Sequence, residues 1–257
     1  MSTISLEIRF NRLLRMVGPQ KLETLRNAVV TVVGVVAVGS FAVEALARSA
    51  VGHLRLMDID IVCPSNINRQ LIALESTLGK KKTEIARQRV LDINPDCVVE
   101  TLDLCVDNTH TAPIFETRSE VILDAIDLLP GKAALIFEAV RRGIPLVSSM
   151  GAARRQTPTL IRTTTLPHVM GCPLARALRR ELKKSDIPMD SIECVYSTEP
   201  PVPSPKENTS SPDTSLSPKA PLPSSVMVTG CFGLNLANLA IQKILRSVNG
   251  SDNAFRI

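Results

Sequence analysis

Residues 28–58 read AVVTVVGVVAVGSFAVEALARSAVGHLRLMD, and their pattern decides the fold. Ala28 to Val33 is a short run of mostly branched apolar residues, which suits a strand buried on both faces. Gly34 interrupts it, and Ser40 to Ser49 has helical spacing, with Gly52 as its stop. Leu54 to Asp58 returns to a strand. Ala28 to Ala47 is apolar enough to imitate a membrane span, but Gly34, Gly39, Ser40 and Glu44 fall where a strand would turn into a helix. Strand, turn, helix and strand form the first half of a nucleotide-binding unit.

The same alternation continues outward. Residues 5–26 are helical and basic, and Gly18-Pro19 breaks them into two short helices. Downstream, the spacing predicts helices over Gly79 to Ile93, Ala112 to Arg118, Leu129 to Arg142 and Leu174 to Lys184. Strands are expected at Val98 to Leu104, Val121 to Asp124 and Pro145 to Ser149. The expected class is α/β: a Rossmann-like, mainly parallel sheet with helices on both faces and sites at the carboxyl ends of its strands. Glu199 to Ser225 holds eight of the 18 prolines among many Ser and Thr, and reads as a disordered loop. Val226 to Leu245 reads as a closing strand or a buried helix. Residues 1–198 and 226–257 are thus expected to form one domain, split by the loop at 199–225.

Composition narrows the chemistry. Lys plus Arg number 30 against 25 acids, and the calculated pI of about 9.0 is compatible with a phosphate-rich partner. The 6 cysteines form no Cys-x-x-Cys pair and follow no secretory segment, so reduced thiols without structural zinc are expected.

The loop Gly34 to Ser40 follows a strand and opens a helix, where backbone N–H groups and the helix dipole can hold phosphate. Taken alone it reads equally as an ordinary strand-to-helix turn. Asp58 lies about twenty residues further on, where a carboxylate accepts ribose hydroxyls, with Asp60 beside it; a solvated turn is the alternative. Asn66-Ile67-Asn68-Arg69-Gln70 groups amides around one guanidinium able to meet a triphosphate, or is simply a polar loop.

Gly34 to Ser40, Asp58-Ile59-Asp60, Ser65 to Gln70, Gly79-Lys80-Lys81-Lys82-Thr83-Glu84 and Asp124-Ala125-Ile126-Asp127 occur in the order and spacing of the ThiF, MoeB and ubiquitin-activating superfamily. Asn94-Pro95, Lys132 to Ile136 and Cys194-Val195-Tyr196-Ser197-Thr198-Glu199 resemble the tRNA threonylcarbamoyladenosine dehydratase branch of it. The resemblance implies ATP and Mg²⁺ as cofactors, and activation of a substrate carboxylate as an acyl-adenylate. An internal nitrogen then closes a ring, on a tRNA carrying threonylcarbamoyladenosine. Asp58 resembles the ribose-binding acid, Arg69 and Lys82 the triphosphate-neutralising pair, and Asp127 the metal-holding acid. Gly34, Gly39, Ser40, Asp60, Asn66, Asn68 and Asp124 complete the implied nucleotide site. Arg12 resembles an arginine that reaches into a neighbouring subunit, which implies a homodimer.

Cys194 and Cys231 are candidates for the thiol chemistry of relatives that pass activated groups to sulfur, which would bring a sulfur-transfer protein as partner; the alternative is buried, inert thiols. Arg154-Arg155 and Arg176, Arg179, Arg180, Lys183 and Lys184 could track an RNA backbone or form a solvated face. Where the family is richer in glycine this chain has Val36-Ala37 in the phosphate loop and Arg154-Arg155 after Ala153. Two further functions stay open: a binding module that has lost the nucleotide, motivated by Val36-Ala37, or an activator of a carrier protein's C-terminus, as in the sulfur-carrier and ubiquitin-like branches that the chain resembles. No stable membrane span is expected, and the cytoplasm is the expected compartment, with the mitochondrial association of related eukaryotic enzymes left open.

Overall fold

The computed structural model describes residues 5–107, 110–203 and 222–249. Three N-terminal helices, α1 (Leu6–Arg9), α2 (Asn11–Val17) and α3 (Pro19–Asn27), lead into the sheet. The remaining helices are α4 (Ala37–Arg48), α5 (Lys82–Ile93), α6 (Leu129–Arg141), α7 (Pro173–Leu182) and α8 (Val226–Asn249). The strands are β1 (Val29–Val33), β2 (His53–Met57), β3 (Val98–Leu102), β4 (Val121–Asp124), β5 (Leu146–Ser149), β6 (Ile161–Thr165) and β7 (Glu193–Ser197).

They form one sheet in the order β3-β2-β1-β4-β5-β7-β6, parallel except where β6 runs antiparallel to β7. Period-two alternation sends Val30, Val32, Leu54, Leu56 and Leu123 into one apolar layer with α4, α5 and α8. Val33, Met57, Ile122, Leu146 and Cys194 enter the other layer with α6 and α7. This is the expected Rossmann-like α/β sheet covered on both faces. No helix among the described residues is long and apolar enough to cross a membrane.

Several local expectations are corrected. Residues 79–81 do not begin a helix: the N–H of Gly79 and the carbonyl of Lys80 both pair with Val62, and Ile61 bridges Lys81, so α5 starts at Lys82. The segment expected as a helix over 112–118 is a 3₁₀ turn, Ala112–Phe115. It is held by the buried Arg55, whose Nη1 donates to the Ile114 carbonyl at 2.7 Å and Nη2 to Pro113 at 3.1 Å. The C-terminal apolar segment, by contrast, takes one of its two expected forms, a buried helix, packed on α4 and the sheet through Val228, Phe232, Leu236 and Ala240. The loop at 199–225 is ordered at its ends: Val202 N–H donates to the Arg154 carbonyl at 2.9 Å, and Arg154 N–H to Pro223 at 2.8 Å. Residues 204–221, the rest of that predicted loop, lie outside the described residues.

Candidate active site

The carboxyl ends of β1, β2 and β4 bring several of the predicted residues together, among them Gly34, Asp58, Asp60 and Lys82. Gly34 leaves β1 with φ +93°, and its missing Cβ would come 2.9 Å from the Ala125 carbonyl after β4. A Cβ on Gly39 would come 1.8 Å from the Gly34 carbonyl oxygen. These are the two positions of the loop where the backbone demands glycine, and both are glycine. Val36 caps α4 at φ −99° and ψ −142°, a negative φ, so no left-handed backbone calls for glycine there. No side chain caps α4, so its first N–H groups are left for an anion. That α4 begins at Ala37, three residues before the expected Ser40, places this terminus inside the loop.

Contacts tie the other segments to this loop. Asp58 is buried; its Oδ2 accepts the Val35 N–H at 2.8 Å and its Oδ1 that of Asp60, also at 2.8 Å. Burial pushes the Asp58 carboxyl up from its ordinary value, against the charge of Lys82 and these two N–H bonds. Lys82 at the start of α5 is 2% exposed, and its Nζ donates to Asp60 Oδ2 at 2.7 Å. Ser40 Oγ accepts the Leu71 N–H at 3.2 Å, joining the loop to the residue that directly follows the 66–70 segment. Within that segment Arg69 donates to the Ser65 carbonyl and to Asn68 Oδ1, Asn66 Oδ1 accepts the Cys63 N–H, and Asn68 reaches the Ser224 carbonyl. Thr229 of α8 donates to the Arg69 carbonyl at 3.4 Å.

Asp124 departs from its expected place against the nucleotide. It is 0% exposed; its Oδ2 accepts Lys132 Nζ and Ser148 Oγ, both at 2.6 Å, and its Oδ1 accepts the Ile126 N–H at 3.1 Å. The acid that is presented to solvent is Asp127, on the same turn. Lys132 and Ser148 are functional candidates missed at the sequence level: a lysine inside an apolar helix gives no periodic signal that it pairs eight residues back. Arg12 is exposed on α2, outside this chain of contacts.

Two candidates for sulfur chemistry differ in access. Cys194 is fully buried in β7, and burial raises its thiol well above the ordinary value; Cys231 is half-buried on α8. The basic residues also divide. Arg179 is used inside the fold, donating to the carbonyls of Leu166 and Val169, and Lys184 pairs with Glu181. Arg176, Arg180 and Lys183 are exposed on or just beyond α7, whose opposite face buries Ala175, Leu178 and Leu182. Arg155 is buried against the Gly171 carbonyl, and Arg154 holds a left-handed φ of +62°.

A parallel α/β sheet with a glycine loop, an uncapped helix terminus and a carboxylate at the second strand end defines a nucleotide-binding protein of the doubly wound class. The chain belongs to the ThiF family, which residues 10–255 match. It is 39% identical over 194 residues to the tRNA threonylcarbamoyladenosine dehydratase of Bacillus subtilis, covering 76% of each chain. The Escherichia coli protein of the same name is 35% identical over 250 residues, covering 92% of this chain and 93% of that one. The solved structure of that E. coli enzyme in complex with ATP superposes with a TM-score of 0.85 at 34% identity, covering 97% of this chain and 99% of the other.

Proposed function

We propose that this protein is an ATP-dependent dehydratase that cyclises threonylcarbamoyladenosine in tRNA through a carboxylate adenylate. One observation carries the reading. The Val35 N–H to Asp58 bond, the Lys82 to Asp60 bond, the Ser40 to Leu71 bond and the Gly34 to Ala125 contact gather the five segments that resemble the adenylating family at the carboxyl ends of the central strands. The similarity to dehydratases of that name, over 76% and 92% of this chain, supports the choice of substrate.

A carboxylate oxygen of the modified nucleoside attacks the α-phosphorus of ATP, and pyrophosphate leaves. An internal nitrogen of the threonylcarbamoyl group then attacks the acyl carbon and gives its proton to solvent, closing the ring, while AMP departs with the former carboxylate oxygen. The elements of water are removed at the expense of ATP. Such a step needs alignment and charge neutralisation more than a protein nucleophile. Asp58 holds the ribose, the α4 terminus and Gly34 to Ser40 hold phosphate, and Arg69 and Lys82 oppose the charge that builds on the leaving pyrophosphate.

Asp127 fits Mg²⁺, because this ion is commonly held by one or two carboxylates together with substrate phosphates. When bound, Mg²⁺ would screen the phosphate charge. The exposed Arg176, Arg180 and Lys183 suit an RNA backbone. The reading includes a homodimer in which Arg12 reaches the partner's site. It gives no catalytic part to the buried Cys194, so a sulfur-transfer partner would have to use a more accessible thiol. Pyrophosphate exchange tests the reading: it should require the modified tRNA, and exchange driven instead by a carrier protein's C-terminus would replace the dehydratase with a carrier activator.

A further inference from the structure

Behind the turn that carries Asp127 lies a closed polar cluster inside an otherwise apolar layer. Lys132 Nζ makes three bonds, to Asp124 Oδ2 at 2.6 Å, Ser148 Oγ at 3.2 Å and the Ser149 carbonyl at 2.9 Å. Lys132, Asp124 and Ser148 are each 0% exposed, so none of them touches solvent. A buried ion pair adds little net stability compared with apolar residues of the same shape, so packing alone does not account for it.

The geometry points to another role: the Lys132–Asp124–Ser148 cluster positions the Asp124 to Asp127 turn. Lys132 and Ser148 hold one oxygen of Asp124, and the other oxygen accepts the Ile126 N–H. The same turn is held from the strand side by the Ala125 N–H, which donates to the Val33 carbonyl at 2.9 Å, and it packs on Gly34. The cluster therefore sets the direction of a turn that has the phosphate loop on one side and Asp127 at its exposed end. Lys132 and Ser148 act through Asp124 and are positioning residues. The inference rests on the nucleotide reading of the site.

The test compares ATP affinity by calorimetry in Mg²⁺ and in EDTA, for wild type, Ser148→Ala and the double variant Asp124→Asn with Lys132→Met, with melting curves to establish folding. The double variant removes both charges, leaving no unpaired ion, and should lose about tenfold of the Mg²⁺-dependent gain in affinity. Ser148→Ala keeps both charges and should lose about threefold, the worth of one modest hydrogen bond; it carries the test alone if the double variant does not fold. EDTA affinity should stay near wild type. Folded variants with an unchanged Mg²⁺ gain, or with equal losses in Mg²⁺ and EDTA, overturn the inference. A wild type that binds no ATP overturns the reading on which it rests.

Discussion

A Cβ on Gly39 would lie 1.8 Å from the carbonyl oxygen of Gly34, so the first turn of α4 and the end of β1 touch backbone to backbone. Between them, Val36 sits at a negative φ that does not call for glycine. The close approach between strand and helix is thus met by two glycines, and the backbone needs no third at Val36. Gly39→Ala should destabilise by about 3 kcal/mol or more through overpacking, whereas Val36→Gly should cost about 1 kcal/mol of backbone entropy. Chemical denaturation of both variants checks this; equal losses would refute it.

Arg69 lies in a surface segment and is held by the Ser65 carbonyl and Asn68. Arg69→Ala should change stability by under about 0.5 kcal/mol yet slow adenylation on the order of 100-fold. Melting temperature and pyrophosphate exchange, measured on the same preparation, separate the two effects.

Glu44 on α4 receives Arg89 at 2.6 Å and Arg48 at 2.7 Å. Burial raises its carboxyl, but these bonds outweigh burial and hold it below its ordinary value. A pKa depressed by folding adds stability that is present above the unfolded value and lost as pH falls through the folded one. The stability gap between wild type and Glu44→Gln should therefore be widest near neutrality and narrow below about pH 4. A gap that is constant with pH would contradict the role of the charge.

Cys194 is enclosed by the second apolar layer, and its raised thiol offers no thiolate at neutral pH. Cys194→Ala should keep full turnover in the presence of ATP and substrate tRNA, at a cost of about 1 kcal/mol in stability. Loss of turnover in a folded variant would restore a thiol intermediate to the mechanism.

The βαβ start was legible because branched runs, a glycine break and helical spacing repeat in a fixed order. Asp58 and Arg69 were marked as candidates by their local position and chemistry and, like Lys82, by their place in a family pattern; packing adds the Val35–Asp58 and Asp60–Lys82 bonds, which no spacing shows. The β6–β7 pair was not: Ile161 to Thr165 carries an arginine and three threonines and shows no clean alternation, since β6 forms the sheet edge and is partly exposed. Asp124 was misplaced for a related reason. Two acids three residues apart look alike in sequence, and only packing shows that one turns inward to Lys132 while the other faces solvent.

The central claim is tested most directly by incubating the purified protein with tRNA bearing threonylcarbamoyladenosine and Mg-ATP, then digesting the tRNA and weighing its nucleosides. The predicted result is a nucleoside lighter by one water, formed with an equal amount of AMP and only when ATP is present. Recovery of the unchanged nucleoside from protein that binds ATP would contradict the account.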